Sequence, residues 1–224
     1  MRRVIILCEG QAEEQFVNRI LSPYFVSQNI FTTPVILPTK RYVSGGRERG
    51  GVSSYAKIAN ELRLLCSDKN AYITTMLDYF RLPSDTPSMN HQRTDTYQHV
   101  AEIEAAIDED IHCQNCHANL IVHEYEALLF SEPSAFACIA DNVAVRRITE
   151  IRASFGTPED INSSPEAAPS KRILQIKPDY RKVTQGIEIA ELIGINKIIA
   201  SCPHFAEWIS KIKSVWPREK WTTL

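Results

Sequence analysis

Apolar positions along the chain fall into two rhythms, short unbroken runs and positions spaced by three or four, and the two alternate. Arg3 to Cys8 is almost wholly apolar, the pattern of a strand covered on both faces in a parallel sheet. Spacing of three to four takes over at Phe16, Ile20 and Leu21 and predicts a helix running up to Pro23. Phe31 to Leu37 predicts a second strand, closed by Pro38. The stretch SGGRERGG, residues 44 to 51, is rich in glycine and charge and predicts a loop. Ser53 or Ser54 caps the next helix, whose apolar positions are Ile58, Leu62 and Leu65.

Ala71 to Leu77, rich in Thr and β-branched residues, predicts a third strand, and residues 81 to 95 a long polar loop. Val100, Ile103, Ile107 and Ile111 mark one face of a helix whose other face carries Glu102, Glu104, Asp108 and Glu109. Asn119 to Val122 predicts a fourth strand. After Pro133 the pattern turns helical and polar, with a loop from Gly156 to Ser170. Then come a helix near Lys182 to Ile193 and another opened by Pro203, with Phe205, Trp208, Ile209 and Ile212 on one side. Strands alternating with helices predict an α/β fold with a mostly parallel sheet and helices on both faces. Residues 1–135 are expected to form the core and residues 136–224 a mainly helical extension packed on it as one compact unit.

Three of the predicted strands run into acid: the first into Glu9, the third into Asp78, the fourth into Glu124. In an open parallel sheet ligands bind beyond the carboxyl ends of the strands, so three distant segments are expected to converge there. Convergent carboxylates repel unless a cation neutralises them, and hard oxygen ligands suit Mg²⁺ or Mn²⁺. Gly10 lets the chain turn into a helix whose first turn carries Glu13 and Glu14. Both also suit the helix dipole without any further role. If the fourth strand persists through Glu126, then Glu124 and Glu126 share a face; if an α-helix starts at Glu124, they diverge by about 200°.

Composition adds little by itself. The net charge of −2 gives no global signal for nucleic acid. The distribution is uneven, with 11 acidic and 2 basic residues from Ala71 to Glu132 and 10 basic and 5 acidic from Pro169 onward, so an acidic middle suited to cations adjoins a tail suited to phosphate. No apolar run approaches the roughly 20 residues needed to cross a bilayer, and Val4 to Cys8 is too short for a secretory signal. A soluble, cytoplasmic protein with reduced thiols is expected.

The residues that carry this chemistry also form an ordered series: CEGQAEEQF (8–16), TTMLDYFRLP (74–83), HEYEALLFSEP (123–133), PSKRI (169–173), Tyr180-Arg181-Lys182 and CPHFAEWI (202–209). The series is similar to the bacterial family catalogued as domain of unknown function 4276. The glutamate-glycine-x-x-glutamate after the first strand, with an aspartate after a later one, resembles the Toprim domain of primases, topoisomerases and overcoming-lysogenization-defect nucleases. The resemblance implies a Toprim-like fold and a metal-dependent nuclease of bacterial anti-phage defence. It would act on DNA or RNA beside an ATPase partner of ABC or overcoming-lysogenization-defect type. On that pattern Glu9, Glu13 and Asp78 are catalytic; with the acids after the fourth strand added, the expected catalytic set is Glu9, Glu13, Asp78 and Glu124 and the expected metal ligands are Glu9, Asp78, Glu124 and Glu126. The pattern's aspartate-x-aspartate pair is broken here, because Phe80 stands at its third position. A catalytically degenerate docking or regulatory subunit of an ATPase complex is therefore the alternative expectation.

PSKRILQIKPDYRK, residues 169 to 182, gathers basic side chains beside Tyr180. Guanidinium and ammonium groups suit phosphate, and with the family match this marks Lys171, Arg172 and Lys182 as substrate-binding. Arg47 and Arg49 in the glycine-rich stretch belong to a surface loop or close over substrate. HCQNCH, residues 112 to 117, has the residue types of a zinc or haem-attachment site. Six consecutive residues are cramped for one ion, and the expected reading is a helix-to-strand connection. Phe205, Trp208 and Trp216 are read as packing of the C-terminal helices, and the oligomeric state is left open.

Overall fold

The computed structural model describes residues 2–38, 54–91, 94–161 and 167–215. The chain is α/β. Strands β1 (Arg2–Cys8), β2 (Ile30–Ile36) and β3 (Ala71–Asp78), with two short strands β4 (Cys116–His117) and β5 (Leu120–Ile121), form a parallel sheet in the order β2-β1-β3-β4, β5 also pairing with β3. Side chains of β1 alternate between two cores. Val4, Ile6 and Cys8 enter one with Phe16, Ile187, Ile198 and Trp208, while Ile5 and Leu7 enter the other with Ile58, Leu62, Val100 and Ile103. Period-two alternation with both faces apolar is why the sequence shows an unbroken run, and why helices cover both faces.

Between β1 and β2 the chain is helical from α1 (Gln11–Phe16) through a π-helical turn, Val17–Leu21, into α2 (Ser22–Val26). The helix thus outlasts Pro23. Proline at the interior of an α-helix lacks a donor and clashes with the preceding turn; the wider turn, in which the Ser22 N–H donates to the carbonyl of Val17, accommodates it. A second proline, Pro34, lies in β2 opposite Ile6, tolerated because β2 is an edge strand.

Helix α3 (Tyr55–Leu65) precedes β3, and α4 (Thr96–Ile111) follows it, started by Asp95, whose carboxylate accepts the Gln98 N–H. The predicted fourth strand is two pieces. Thr75 of β3 accepts the Asn119 N–H and donates to the Asn119 carbonyl through its hydroxyl, so a side chain replaces ladder pairing between β4 and β5. The first piece falls inside HCQNCH. There His112 caps α4 in the left-handed region, Cys113 donates to Asn115, Cys116 is buried in β4 and His117 faces Asp108. The hexapeptide is the helix-to-strand connection.

The rest is helical. Two 3₁₀ segments, Tyr125–Ser131 and Pro133–Cys138, lead to α5 (Asn142–Ala153), and a short 3₁₀ turn, Pro158–Asp160, precedes α6 (Pro169–Ile176). Helices α7 (Gln185–Ile193), α8 (Ile195–Ser201) and α9 (Pro203–Ser214) complete the described chain and share the core of Val4 and Ile6. Phe205, Trp208, Ile209 and Ile212 are buried as α9's periodicity predicts. The expected helix over 182–193 starts later, leaving Lys182 in the preceding turn. Arg47, Arg49, Ser53 and Trp216 lie outside the described residues. Among the described residues no helix is long and apolar enough to cross a membrane.

Candidate active site at the carboxyl ends of the strands

Parallel register brings the ends of β1 and β3 level, Cys8 opposite Met76, and the Glu9 N–H donates to the Met76 carbonyl at 3.3 Å. Glu9 and Asp78 therefore leave adjacent strands at one end of the sheet. Glu13, one turn into α1, reaches back so that its carboxylate accepts the Gly10 N–H at 3.0 Å, satisfying a donor that the helix start leaves open. Gly10 itself is extended, at φ −162°. The turn there does not demand glycine.

At the end of β5 the chain bends at His123, φ 66°. A non-glycine residue seldom adopts this left-handed conformation. Neither of the two continuations considered for Glu124 and Glu126 is what forms: Glu124 is extended and Glu126 lies in a 3₁₀ turn. Beyond the bend the Tyr125 N–H donates to Asp78 Oδ1 at 2.8 Å, while Glu124 accepts the Ser170 N–H of α6 at 3.0 Å. Glu126 faces inward, 2% exposed.

At the centre is a cation of the protein's own. Lys182 Nζ lies 2.9 Å from Glu13, 3.3 Å from Asp78 and 3.3 Å from Glu126, and 5.4 Å above the Tyr125 ring. Arg81, in the 3₁₀ turn after β3, stands at the rim, 3.7 Å from Glu9 and 3.9 Å from Asp78. Four carboxylates thus meet two cations, and Glu124, the fifth, is near enough to act on the charge of Arg81.

That imbalance appears in the acidities. Burial raises the carboxyl of Glu9 to about 7, against the opposing pull of Lys182 and Arg81. Burial also drives Asp78 well above the usual carboxylate range; Lys182 opposes this, and the negative charges of Glu13, Glu9 and Glu126 reinforce it. Glu126 is raised for the same first reason. Burial would lower Lys182, but Asp78, Glu126 and Glu13 outweigh it and hold the ammonium charged. The site carries more carboxylate than its own cations stabilise.

Aromatic side chains close the inner wall. The Tyr125 hydroxyl donates to the Gly186 carbonyl at 3.2 Å. A Cβ on Gly186 would stand 2.7 Å from the Tyr180 hydroxyl, so only glycine admits that ring. Tyr180 is 8% exposed, and its hydroxyl has no hydrogen-bond partner among the described residues. A buried polar group without a partner is uncommon.

A family model described as Domain of unknown function (DUF4276) matches residues 8–213. The chain belongs to this family. The matched span includes all five carboxylates, Arg81 and Lys182. No curated protein and no solved structure matches the chain.

Of the residues expected at the site of this family member, Glu9, Glu13, Asp78 and Glu126 come together, and Glu124 adjoins them through Ser170. Lys182 is at the centre as an ion-pair partner. Lys171 is exposed in the first turn of α6, while Arg172 donates to the Ala167 carbonyl at 2.7 Å and lies 5.1 Å over Phe155. The position of the second acid of the aspartate-x-aspartate pattern goes to packing, with the Phe80 ring 4.8 Å from that of His123. Sequence reasoning missed Arg81, although it is one of only two basic residues in the acidic stretch from Ala71 to Glu132. The Tyr125 and Ser170 backbone donors leave no trace in side-chain pattern.

Proposed function

We propose that the protein is a metal-dependent phosphodiester hydrolase of Toprim type, acting on DNA or RNA with Mg²⁺ or Mn²⁺. The observation that carries this reading is the convergence of Glu13, Asp78 and Glu126, from three separate elements, on one cation within 3.3 Å. The donor set fits a hard divalent ion. It is all oxygen, fixed by Tyr125 and Gly10 backbone donors, and burial raises the pKa of Glu9 and Asp78 against the pull of Lys182. Among the described residues no group of three or more His, Cys, Asp or Glu side chains is already spaced to hold an ion. Glu9, Asp78, Glu124 and Glu126 are the proposed ligands.

A bound divalent ion supplies an activated water and charge stabilisation at the phosphoryl group. The chain supplies the rest. Glu9, 13% exposed at its side chain, is placed at the rim either to hold the ion or to serve as general acid and base. Arg81 at the rim and Lys171 on α6 are placed for backbone phosphates, and Lys182 steadies Glu13 and Asp78. The six cysteines are free thiols, which supports a reducing, cytoplasmic setting. An ATPase partner of ABC or overcoming-lysogenization-defect type and a role in bacterial defence complete the reading; both rest on the family resemblance.

The test is incubation with DNA and RNA in Mn²⁺, alone and with any ATPase encoded beside the gene. Cleavage by the wild type that disappears in Glu9→Ala supports the reading, and cleavage that persists in Glu9→Ala sinks the catalytic assignment.

Two observations favour the second reading, a non-catalytic subunit that docks on an ATPase. Lys182 already pairs with the acids, and Phe80 stands in place of one. On that reading Mn²⁺ neither binds nor changes thermal stability.

A further inference from the structure

Beyond Asp78 the chain passes into the 3₁₀ turn Tyr79–Arg81, so two aromatic residues lie between an acid of the cluster and the arginine at its rim. Both are half-buried, whereas all of β3 before them and Leu82 and Pro83 after them are buried.

The two rings are held in place. The Phe80 N–H donates to the His123 carbonyl at 3.1 Å, and the buried His123 ring backs that of Phe80, with centroids 4.8 Å and planes 37° apart. Burial lowers His123 to about 4, so at neutral pH it backs Phe80 as an uncharged aromatic plane. Tyr79 lies beside Phe80 at 5.7 Å and 33°. Its hydroxyl meets His99 Nδ1 at 2.9 Å, and His99 Nε2 meets the Ser88 carbonyl at 3.0 Å. A carbonyl only accepts, so the neutral His99 ring carries its hydrogen on Nε2, and Nδ1 accepts the Tyr79 O–H. With His123 and His99 behind them, the rings of Phe80 and Tyr79 turn their remaining surface to solvent.

We propose that Tyr79 and Phe80 form a stacking ledge for an unpaired base, so that the acid cluster takes a single strand of nucleic acid in preference to a duplex. This rests on the hydrolase reading and narrows its substrate. Any base can lie on a protein ring, because every base has a π face. In a duplex that face is already stacked, and it is reached only by taking the base out of the helix. Arg81 follows Phe80 directly, and its side chain is 39% exposed, which places a cation for the phosphate next to the stacked base. At Phe80 the site gives up an acid and gains a hold on the strand.

Fluorescence anisotropy of the full chain tests this with a short labelled DNA strand, its RNA counterpart, and each annealed to its complement. The titrations are run with and without Ca²⁺, a hard oxygen-bound ion. At least one single strand should bind about tenfold more tightly than its duplex. Phe80→Leu, which keeps an apolar side chain, should weaken single-strand binding about tenfold, the order of one base–aromatic stack. It should leave duplex binding and the melting curve unchanged, and Phe80→Trp should retain single-strand binding. An abasic position moved along the strand should reproduce the loss with the unaltered protein, and Phe80→Leu should add nothing at that position. Duplex bound as tightly as single strand, binding of neither, an abasic scan without a sensitive position, or full single-strand binding by Phe80→Leu would each overturn the proposal. Single-strand preference without cleavage in Mn²⁺ would remove hydrolysis and keep the ledge, whereas equal cleavage of single strand and duplex would do the reverse.

Discussion

Lys182 and Glu13 are joined by an ion pair of 2.9 Å that ties the turn before α7 to the first helix, with Asp78 and Glu126 on the same ammonium at 3.3 Å. The Lys182 side chain is only 25% exposed, and Asp78 is wholly buried. Removing one partner of a buried ion pair leaves charge uncompensated and typically costs about 3–5 kcal/mol. Lys182→Met is therefore expected to lower stability by that order in urea denaturation without divalent ions, and millimolar Mn²⁺ is expected to restore part of it. An unchanged midpoint in the variant would show that the acids do not depend on this lysine.

The acidities set a pH dependence. Between the ordinary carboxyl value and about 7, the folded protein keeps a proton on Glu9 that the unfolded chain has released. Folding stability contributed by this group is complete below the unfolded value and is lost as pH rises through the folded one. Asp78 and Glu126, raised in the same direction, add the same sign. His123, lowered to about 4 by burial, contributes the opposite sign, so the carboxyl effect is read against a variant: from pH 5 to pH 8 in a chelating buffer the wild type should lose melting temperature relative to Glu9→Gln, and Mn²⁺ should flatten the difference. A wild type that gains melting temperature relative to Glu9→Gln across this window contradicts the charge assignment.

Asp78 combines two jobs, since Oδ1 accepts the Tyr125 N–H and Oδ2 faces Lys182 and Arg81. Asp78→Asn keeps an oxygen for Tyr125 and loses the negative charge. Its hydrolysis rate should drop by about 100-fold or more with its circular dichroism unchanged, as measured side by side on one substrate. A rate within a few-fold of wild type would remove Asp78 from the chemistry.

Tyr180 gives a prediction of opposite sign for stability. Its hydroxyl is buried and has no hydrogen-bond partner among the described residues, so Tyr180→Phe removes a desolvated group without breaking a contact. Stability should stay level or rise by about 1 kcal/mol. A loss of more than that by chemical denaturation would reveal a hydrogen bond the folded protein relies on.

Trp208 anchors α9 to the sheet through its indole N–H and the Thr74 hydroxyl, both buried. Trp208→Phe leaves that hydroxyl without its donor and leaves space beside it. A loss of about 1–3 kcal/mol is expected from urea denaturation, and a variant as stable as wild type would show that packing alone holds the helix.

Much of this architecture was legible in the residues. The unbroken run of β1, the Thr-rich β3 and the spacing of α4 and α9 announce themselves because burial on both faces, or on one helical stripe, leaves a period in the sequence. The convergence of Glu9 and Asp78 followed from parallel strands ending in acid. What stayed hidden depends on tertiary contacts. Pro23 marks a helix end by local rules, and only the π-helical turn before it lets the helix continue. Asn119 and Thr75 break a strand through a side-chain hydroxyl that no local pattern reports. Lys182 looked like one more basic residue of a phosphate-binding tail because nothing in its neighbourhood shows that Glu13, Asp78 and Glu126 surround it. Glu124 and Glu126 defied both simple continuations because His123, in a backbone conformation unusual for its type, bends the chain between them and β5.

Everything assigned to the acid cluster turns on whether it takes a divalent ion. Titration of the purified protein with Mn²⁺, followed by the electron paramagnetic resonance signal of the free ion, measures this directly. Wild type should remove Mn²⁺ from solution in stoichiometric amount, while Asp78→Asn binds at least about tenfold more weakly. A free-ion signal that rises without a binding phase, or equal binding by the variant, would contradict the account.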